Sequence, residues 1–392
     1  MRRLAILVLL TGIIPPAFPQ KSVIAQKITV EQLEQLLTTD HDQRDAEAAR
    51  NIYELELTER ISTVRLARLE TDLPGPASRR ALLAVSDAAS FFDLPAADIM
   101  AAPPPNHAAQ TSMLAQAIEY ARETISRLPN FSATRDTTRF EEKQAAVLPS
   151  GTRPIDYQPL QEVGSSSAEV LFRDGRESMN GEASNRKDHT PPAHELSTMG
   201  EFGPILVVTL GDAVKGKVVW GHWEHGAAGP LAVFYFKVPE AASHYAVDFP
   251  SDVGETVHHP AYHGEIAVNP ADGSILRVTM VADLKPNDSV ATADILVEYG
   301  PMEIGGKTYI CPVKSVALAR LPVAGAYRSY NDSLFPSRFL KTQINDTLFR
   351  QYHLFRAESR ILADDGQELK ESPPASVPAT SPSLAPAMPP QH

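Results

Sequence analysis

The chain has 392 residues, 43% of them hydrophobic, which supplies buried cores for more than one typical domain of about 100 to 200 residues and excludes disorder throughout. Its 33 prolines and 21 glycines follow no triplet period, which excludes collagen, and 36 basic against 48 acidic residues leave a net charge of −12, which argues against an electrostatic grip on nucleic acid or anionic lipid. The single cysteine, Cys311, rules out an intrachain disulfide and every multi-cysteine zinc or iron–sulfur site.

Arg2 and Arg3 precede the apolar run Leu4 to Ile14, which has the length of a signal-peptide core and is too short to span a bilayer of about 30 Å. The small-residue pattern Val23-Ile24-Ala25 predicts cleavage after Ala25, a signal peptide over 1–25 and a mature start at Gln26. Removing Arg2, Arg3 and Lys21 leaves 33 basic against 48 acidic residues, a mature charge of −15. No later stretch reaches about 18 uninterrupted apolar residues, so no transmembrane anchor is expected after cleavage and the expected location is secreted or periplasmic.

Residues 28–128 read as a helical domain. Thr29 and Gln32 form a capping-box pattern ahead of Val30, Leu33, Leu36 and Leu37 at helical spacing. Ala46, Ala49, Tyr53, Leu57, Ile61 and Val64 recur at three and four and predict a helix from Asp45 that lasts until Pro74-Gly75-Pro76. Leu82, Val85, Ala89 and Phe92 continue the stripe, and Asn106 caps a fourth helix carrying Leu114, Ile118, Ala121, Ile125 and Leu128.

After Pro129 the period changes, and 130–365 reads as a strand-rich body. Phe131 to Phe140 and Ala168 to Arg173 read as strands, with polar loops at 141–167 and 174–200. Gly203 to Val214 is an apolar run compatible with a buried helix. Val218 to Trp223, Leu231 to Val238, His244 to Phe249, Gly264 to Val268, Ile275 to Leu284, Ala293 to Tyr299 and Lys307 to Arg320 are short β-branched or aromatic runs. The turns between them, Gly226 to Pro230, Asn269 to Gly273 and Ile304-Gly305-Gly306, predict an antiparallel meander, closed by a strand over Phe349 to Ile361. The tail 371–392 carries seven prolines in 22 residues and too little apolar surface for a packed element, so it reads as disordered.

The succession from His263 to Arg320 resembles the sheet of the bacterial outer-membrane lipoprotein carriers and the related periplasmic regulators of envelope-stress signalling. It is carried by the acidic turn Asn269-Pro270-Ala271-Asp272-Gly273, by Ala282-Asp283-Leu284, by Val297-Glu298-Tyr299, and by Ile304-Gly305-Gly306-Lys307 before Tyr309 and Pro312. The whole chain also looks like uncharacterised secreted bacterial proteins. The carrier resemblance implies an α+β fold, with an N-terminal amphipathic helical region followed by a curved antiparallel half-barrel under a helical cover. It also implies an apolar concavity for an acyl chain or peptide.

Familiar catalytic signatures are missing: there is no Gly-x-Ser-x-Gly elbow, no phosphate loop, no dinucleotide turn and no His-Glu-x-x-His. Histidine is enriched instead, since His222, His225, His244, His258, His259 and His263 are six of twelve within 42 residues. Imidazole is a common metal ligand, so these six define a metal-dependent hydrolase alternative, although His222 and His225 point to opposite faces of an undistorted strand. The only tryptophans, Trp220 and Trp223, share that strand, and with Phe234 and Phe236 of the next one they are the candidate lining of an apolar cavity. Strict alternation admits only one of the two indoles on the inner face. The reading is a non-catalytic binding protein without a cofactor, holding a lipid, a lipopeptide or a segment of an envelope protein. A structural envelope role is a further alternative.

Overall fold

The computed structural model describes residues 25–39, 43–145, 153–154, 158–180, 196–251, 254–285, 288, 290–328 and 333–355. The predicted signal peptide before Ala25, the last part of the predicted closing strand and the proline-rich tail lie outside them.

In chain order the front half comprises β1 (Gln26–Ile28), α1 (Val30–Thr39), α2 (Asp45–Tyr53), β2 (Leu55–Leu57), α3 (Thr63–Asp72), α4 (Pro76–Ala88) and α5 (His107–Arg127). Next come β3 (Phe131–Ala145), β4 (Arg153–Pro154), β5 (Gln158–Arg173), β6 (Arg176–Asn180) and α6 (Pro204–Ala213). The rest is β7 (Lys217–Gly226), β8 (Gly229–Val238), β9 (Val247–Ser251), β10 (Gly254–His258), β11 (Tyr262–Val268), β12 (Ile275–Ala282), β13 (Thr292–Ile304), β14 (Lys307–Arg328) and β15 (Leu334–Leu354).

The caps form where their residues predict them. Gln32 N donates to Thr29 Oγ1 at 3.2 Å and Thr29 N to Gln32 Oε1 at 2.9 Å, while Ala109 N donates to Asn106 Oδ1 at 2.9 Å. The single helix expected from Asp45 is instead α2, β2 and α3. Leu55-Glu56-Leu57 pairs in parallel with Gln26-Lys27-Ile28, and burial of Leu57 in that strand satisfies the same apolar spacing that imitates a helix. The next helix begins at Pro76, whose fixed φ suits a first turn, and ends at Ala88, leaving Phe92 beyond it.

Ten strands make one open antiparallel sheet in the order β6-β5-β3-β15-β14-β13-β12-β11-β8-β7, with β4 beside β14. β6 and β7 are its two edges, so the sheet does not close into a barrel, and β11 to β15 form the predicted meander. Gly305 and Gly306 take φ of +61° and +80° in the tight turn between β13 and β14, a backbone that glycine adopts without strain. The loops expected at 141–167 and 174–200 are partly strand, because β3 runs to Ala145, β5 starts at Gln158 and β6 occupies Arg176–Asn180. Gly164 to Ser167 pair in register with Arg139 to Asp136, so that stretch is a polar strand with no apolar alternation to reveal it. The closing strand starts earlier than expected, at Leu334, and His244 lies in the irregular segment ahead of the separate β9–β10 hairpin.

Helices cover both faces of the sheet. One face packs α1 to α4 against Phe140, Leu160, Leu296, Val316, Leu318 and Ile344. The other packs α5 and α6 against Phe234, Phe236, Ile266, Val278, Ile295 and Val297. Ala293 through Val297 is buried without a break, Asp294 included, as a strand covered on both sides requires. Each fully buried Leu, Ile or Phe contributes about 1.5–3 kcal/mol, so the two helical layers hold the sheet mainly through such side chains.

Candidate functional site

Helix α5 is seated by Met113, Ala117 and Ala121, all buried, and by Gly273 of the β11–β12 turn, where a Cβ would come within 2.8 Å of the Gln116 backbone. Helix α6 is pinned through buried Asp212, which accepts from His244 N at 2.7 Å, from Tyr262 Oη at 3.0 Å and faces His244 Nδ1 at 2.6 Å.

Between the two helices lies a cavity of about 800 Å³. Ile118 and Ala121 of α5 face Val207, Leu210, Gly211 and Val214 of α6, whose spacing of three and four makes one helix face. Leu128 continues the apolar wall, while Arg122, Ser126, Asn130 and Asp174 supply polar groups at the rim. Val207 is 56% and Val214 69% exposed, and a side chain added at Gly211 would meet nothing within 4 Å. The volume falls within the range of about 300–1,000 Å³ usual for small-ligand sites. A second cavity, between α4 and Leu160, Leu340 and Ile344 on the opposite face, is about 140 Å³ and too small for a comparable ligand.

The four predicted lining residues lie elsewhere. Phe234 and Phe236 are buried in the core beneath α5 and α6, and Trp220 and Trp223 pack on the same cluster. A bulge between Trp220 and His222 shifts the register, so both indoles face one side, 4.9 Å apart and edge to face. Trp223 Nε1 donates to Pro103 O at 3.0 Å, and none of the four lines the α5–α6 cavity. The signal that points to the groove is α6 itself: Pro204-Ile-Leu-Val-Val is apolar on every side, yet one side of it faces solvent.

The six histidines do not converge. His222 on β7 faces Tyr235 Oη at 3.2 Å and Glu224 at 3.8 Å; His244 faces Asp212 and His263 faces Asp283 at 2.7 Å; His225, His258 and His259 are exposed. Among the described residues no group of three or more His, Cys, Asp or Glu side chains is arranged to hold a metal ion.

The same bulge that gathers the indoles turns Glu224 to the opposite face. There it receives Arg277 Nη1 at 2.8 Å and Nη2 at 2.6 Å, with Arg60 at 3.4 Å, and both arginines also reach Glu265. Burial pushes the Glu224 carboxyl up, but the hydrogen bonds of Arg277 and the charges of Arg277 and Arg60 outweigh it and hold it well below the usual carboxylate range. Two arginines and two glutamates balance, so the cluster reads as a tie between the Arg60 loop and the sheet.

No family model matches this chain, and no curated protein does. Among solved structures it is similar to a LolA superfamily protein from Nitrosomonas europaea, with 11% identity and a TM-score of 0.27 over 65% of this chain and 97% of that one. It is also similar to MucB in complex with MucA(peri), with 11% identity and a TM-score of 0.20 over 60% and 93%. Both likenesses are too distant to carry an argument about ligand or role.

Proposed function

We propose that this chain is a non-catalytic secreted or periplasmic binding protein that seats one acyl chain, free or on a lipopeptide, in the groove between α5 and α6. The observation that carries this reading is the cavity of about 800 Å³ whose apolar wall includes the exposed Val207 and Val214. Burying a chain there would contribute about 0.8 kcal/mol per methylene, so about ten methylenes would contribute about 8 kcal/mol against the cost of association. No helix among the described residues is long and apolar enough to cross a membrane. The signal-peptide pattern at the N-terminus supports the assigned location.

Gly211→Leu tests the reading without threatening the fold. Its side chain would enter open space in the groove, and glycine inside a helix costs about 1 kcal/mol relative to a good helix former. A fluorescent long-chain fatty acid should bind the wild type saturably and lose at least about tenfold in affinity to the variant, a difference of about 1.4 kcal/mol, while the thermal midpoint holds or rises. Binding unaffected by Gly211→Leu, or no saturable binding to the wild type, would sink the proposal. An acylated peptide in a parallel titration separates a lipopeptide ligand from a free lipid.

A further inference from the structure

The segment Leu196–Gly203 is held by side chains of β15, β3, β6 and β13 and then becomes the N-terminus of α6. Asn345 Nδ2 on β15 donates to Leu196 O at 2.6 Å, and Tyr299 Oη on β13 donates to Glu201 O at 3.3 Å. Gly200 N donates to Glu177 Oε2 on β6 at 3.1 Å. The carbonyls of Gly200 and Gly203 accept the first amides of α6, from Ile205 at 2.9 Å and Val207 at 3.0 Å. What holds this strap therefore also sets where the α6 wall of the groove begins.

Beneath the strap Glu201 meets Arg135, and the charges of both act on the Glu177 carboxyl. Glu201, 0% exposed, accepts from Thr198 Oγ1 at 2.6 Å, from Arg135 Nη2 at 3.4 Å and from Ser315 Oγ at 3.4 Å, all at Oε1. Its Oε2 and the Oε1 of Glu177 are buried without a hydrogen-bond partner among the described residues. The charged and titratable groups facing the pair are Arg135 of β3, Tyr299 of β13 and Tyr352 of β15. With both glutamates ionised the cluster would carry an uncompensated buried negative charge, an arrangement proteins avoid.

We propose that Glu177, buried beside the Glu201 carboxylate, holds a proton in the folded protein, and that its loss as the solution passes neutrality loosens the Leu196–Gly203 strap and with it the α6 wall of the groove. A proton on Glu177 leaves one carboxylate, Glu201, to balance the Arg135 guanidinium, which it meets at 3.4 Å. Desolvation and the Glu201 charge push the Glu177 carboxyl up to about 7 against the pull of Arg135 and the Gly200 and Phe202 amides, which places the release near neutrality.

The strap part of the inference stands without any ligand, whereas its consequence for the groove rests on the binding reading. Amide exchange at Gly200, Phe202 and Val207, corrected for the intrinsic rate, should lose about tenfold in protection between about pH 6 and pH 8.5 in the wild type. Glu177→Gln, which mimics the protonated form at the same size, should abolish that change, and Glu201→Gln serves as the second variant should the first fold poorly. Affinity for the fluorescent fatty acid should fall over the same interval in the wild type alone. Protection that does not change with pH, or a full pH response retained in both variants, overturns the proposal. A strap response without fatty-acid binding at either pH upholds the proton on Glu177 and rejects only the binding reading.

Discussion

Glu224 shows how little a residue's type says about its setting. It lies in a strand with the exposed polar side chains Lys217 and His225, and strict alternation offers no reason to bury it. The bulge before His222 changes the parity, and the carboxylate ends between Arg277 and Arg60. Removing one member of a buried ionic cluster leaves its partners uncompensated, so Glu224→Gln should cost about 3–5 kcal/mol in urea denaturation. The exposed pair Lys285–Glu240, at 3.1 Å, is the control, and Lys285→Ala should change stability by less than about 1 kcal/mol. Equal effects at the two sites would refute the assigned burial. The groove residues were equally hard to single out, since Val207 and Val214 are apolar in a run that reads as ordinary core.

Elements were most legible where backbone chemistry is local. The Thr29 and Asn106 caps and the Gly305-Gly306 turn follow from side-chain hydrogen bonds and φ preferences that need no distant partner. The extents of β3, β5 and β15 were hidden because their length comes from pairing with one another rather than from their own apolar pattern. Two glycines separate these causes. Gly306, at φ +80° with open space around it, is needed for its backbone, and Gly306→Ala should cost about 1–2 kcal/mol. Gly264 is needed for proximity, since a Cβ there would lie 2.0 Å from Thr279 O on β12 and force two strands apart. Gly264→Ala should therefore cost more, about 3 kcal/mol, and thermal melts that rank the variants in the opposite order would contradict the close approach of β11 and β12.

At the scale of the whole molecule, buried acids outnumber buried bases among the described residues. Desolvation, together with Asp346 and Glu298, raises Asp87 to about 8 despite its 2.7 Å contact with Lys314; Glu177 rises to about 7; and burial takes Asp294 to about 7 against the Ala282 amide. Ordinary carboxyls titrate near 3.8 and 4.5, so between about pH 4 and 8 the folded chain holds protons that the unfolded chain has released. Stability must then fall as pH rises through that window and level off above it. Glu224 acts in the opposite sense, contributing above its unfolded value and losing that contribution as pH falls below about 4, so the maximum lies in mild acid. The urea midpoint should be lower at about pH 8.5 than at about pH 5.5, with part of the difference removed by Asp87→Asn. A midpoint that rises over this interval would contradict the protonation of these groups. Composition announces an acidic protein, but which acids lie under α4 or beneath the strap depends on contacts between distant parts of the chain.

The adjacency of β3 and β15 also governs how the molecule comes into being. Thr137 and Thr347 meet at 3.0 Å across 210 positions of sequence, and the apolar faces of α1 to α4 close on Val316, Leu318 and Ile344, which leave the ribosome long after the helices do. Until β14 and β15 arrive, the first helical layer has no complete surface to cover and its leucines stay open to other chains. Loop closure over such separations makes folding slow, on the order of milliseconds to seconds, and concentrates the aggregation hazard in the incomplete chain. The architecture that gives the finished protein two covered faces therefore leaves its incomplete chain the form most exposed to association with other chains.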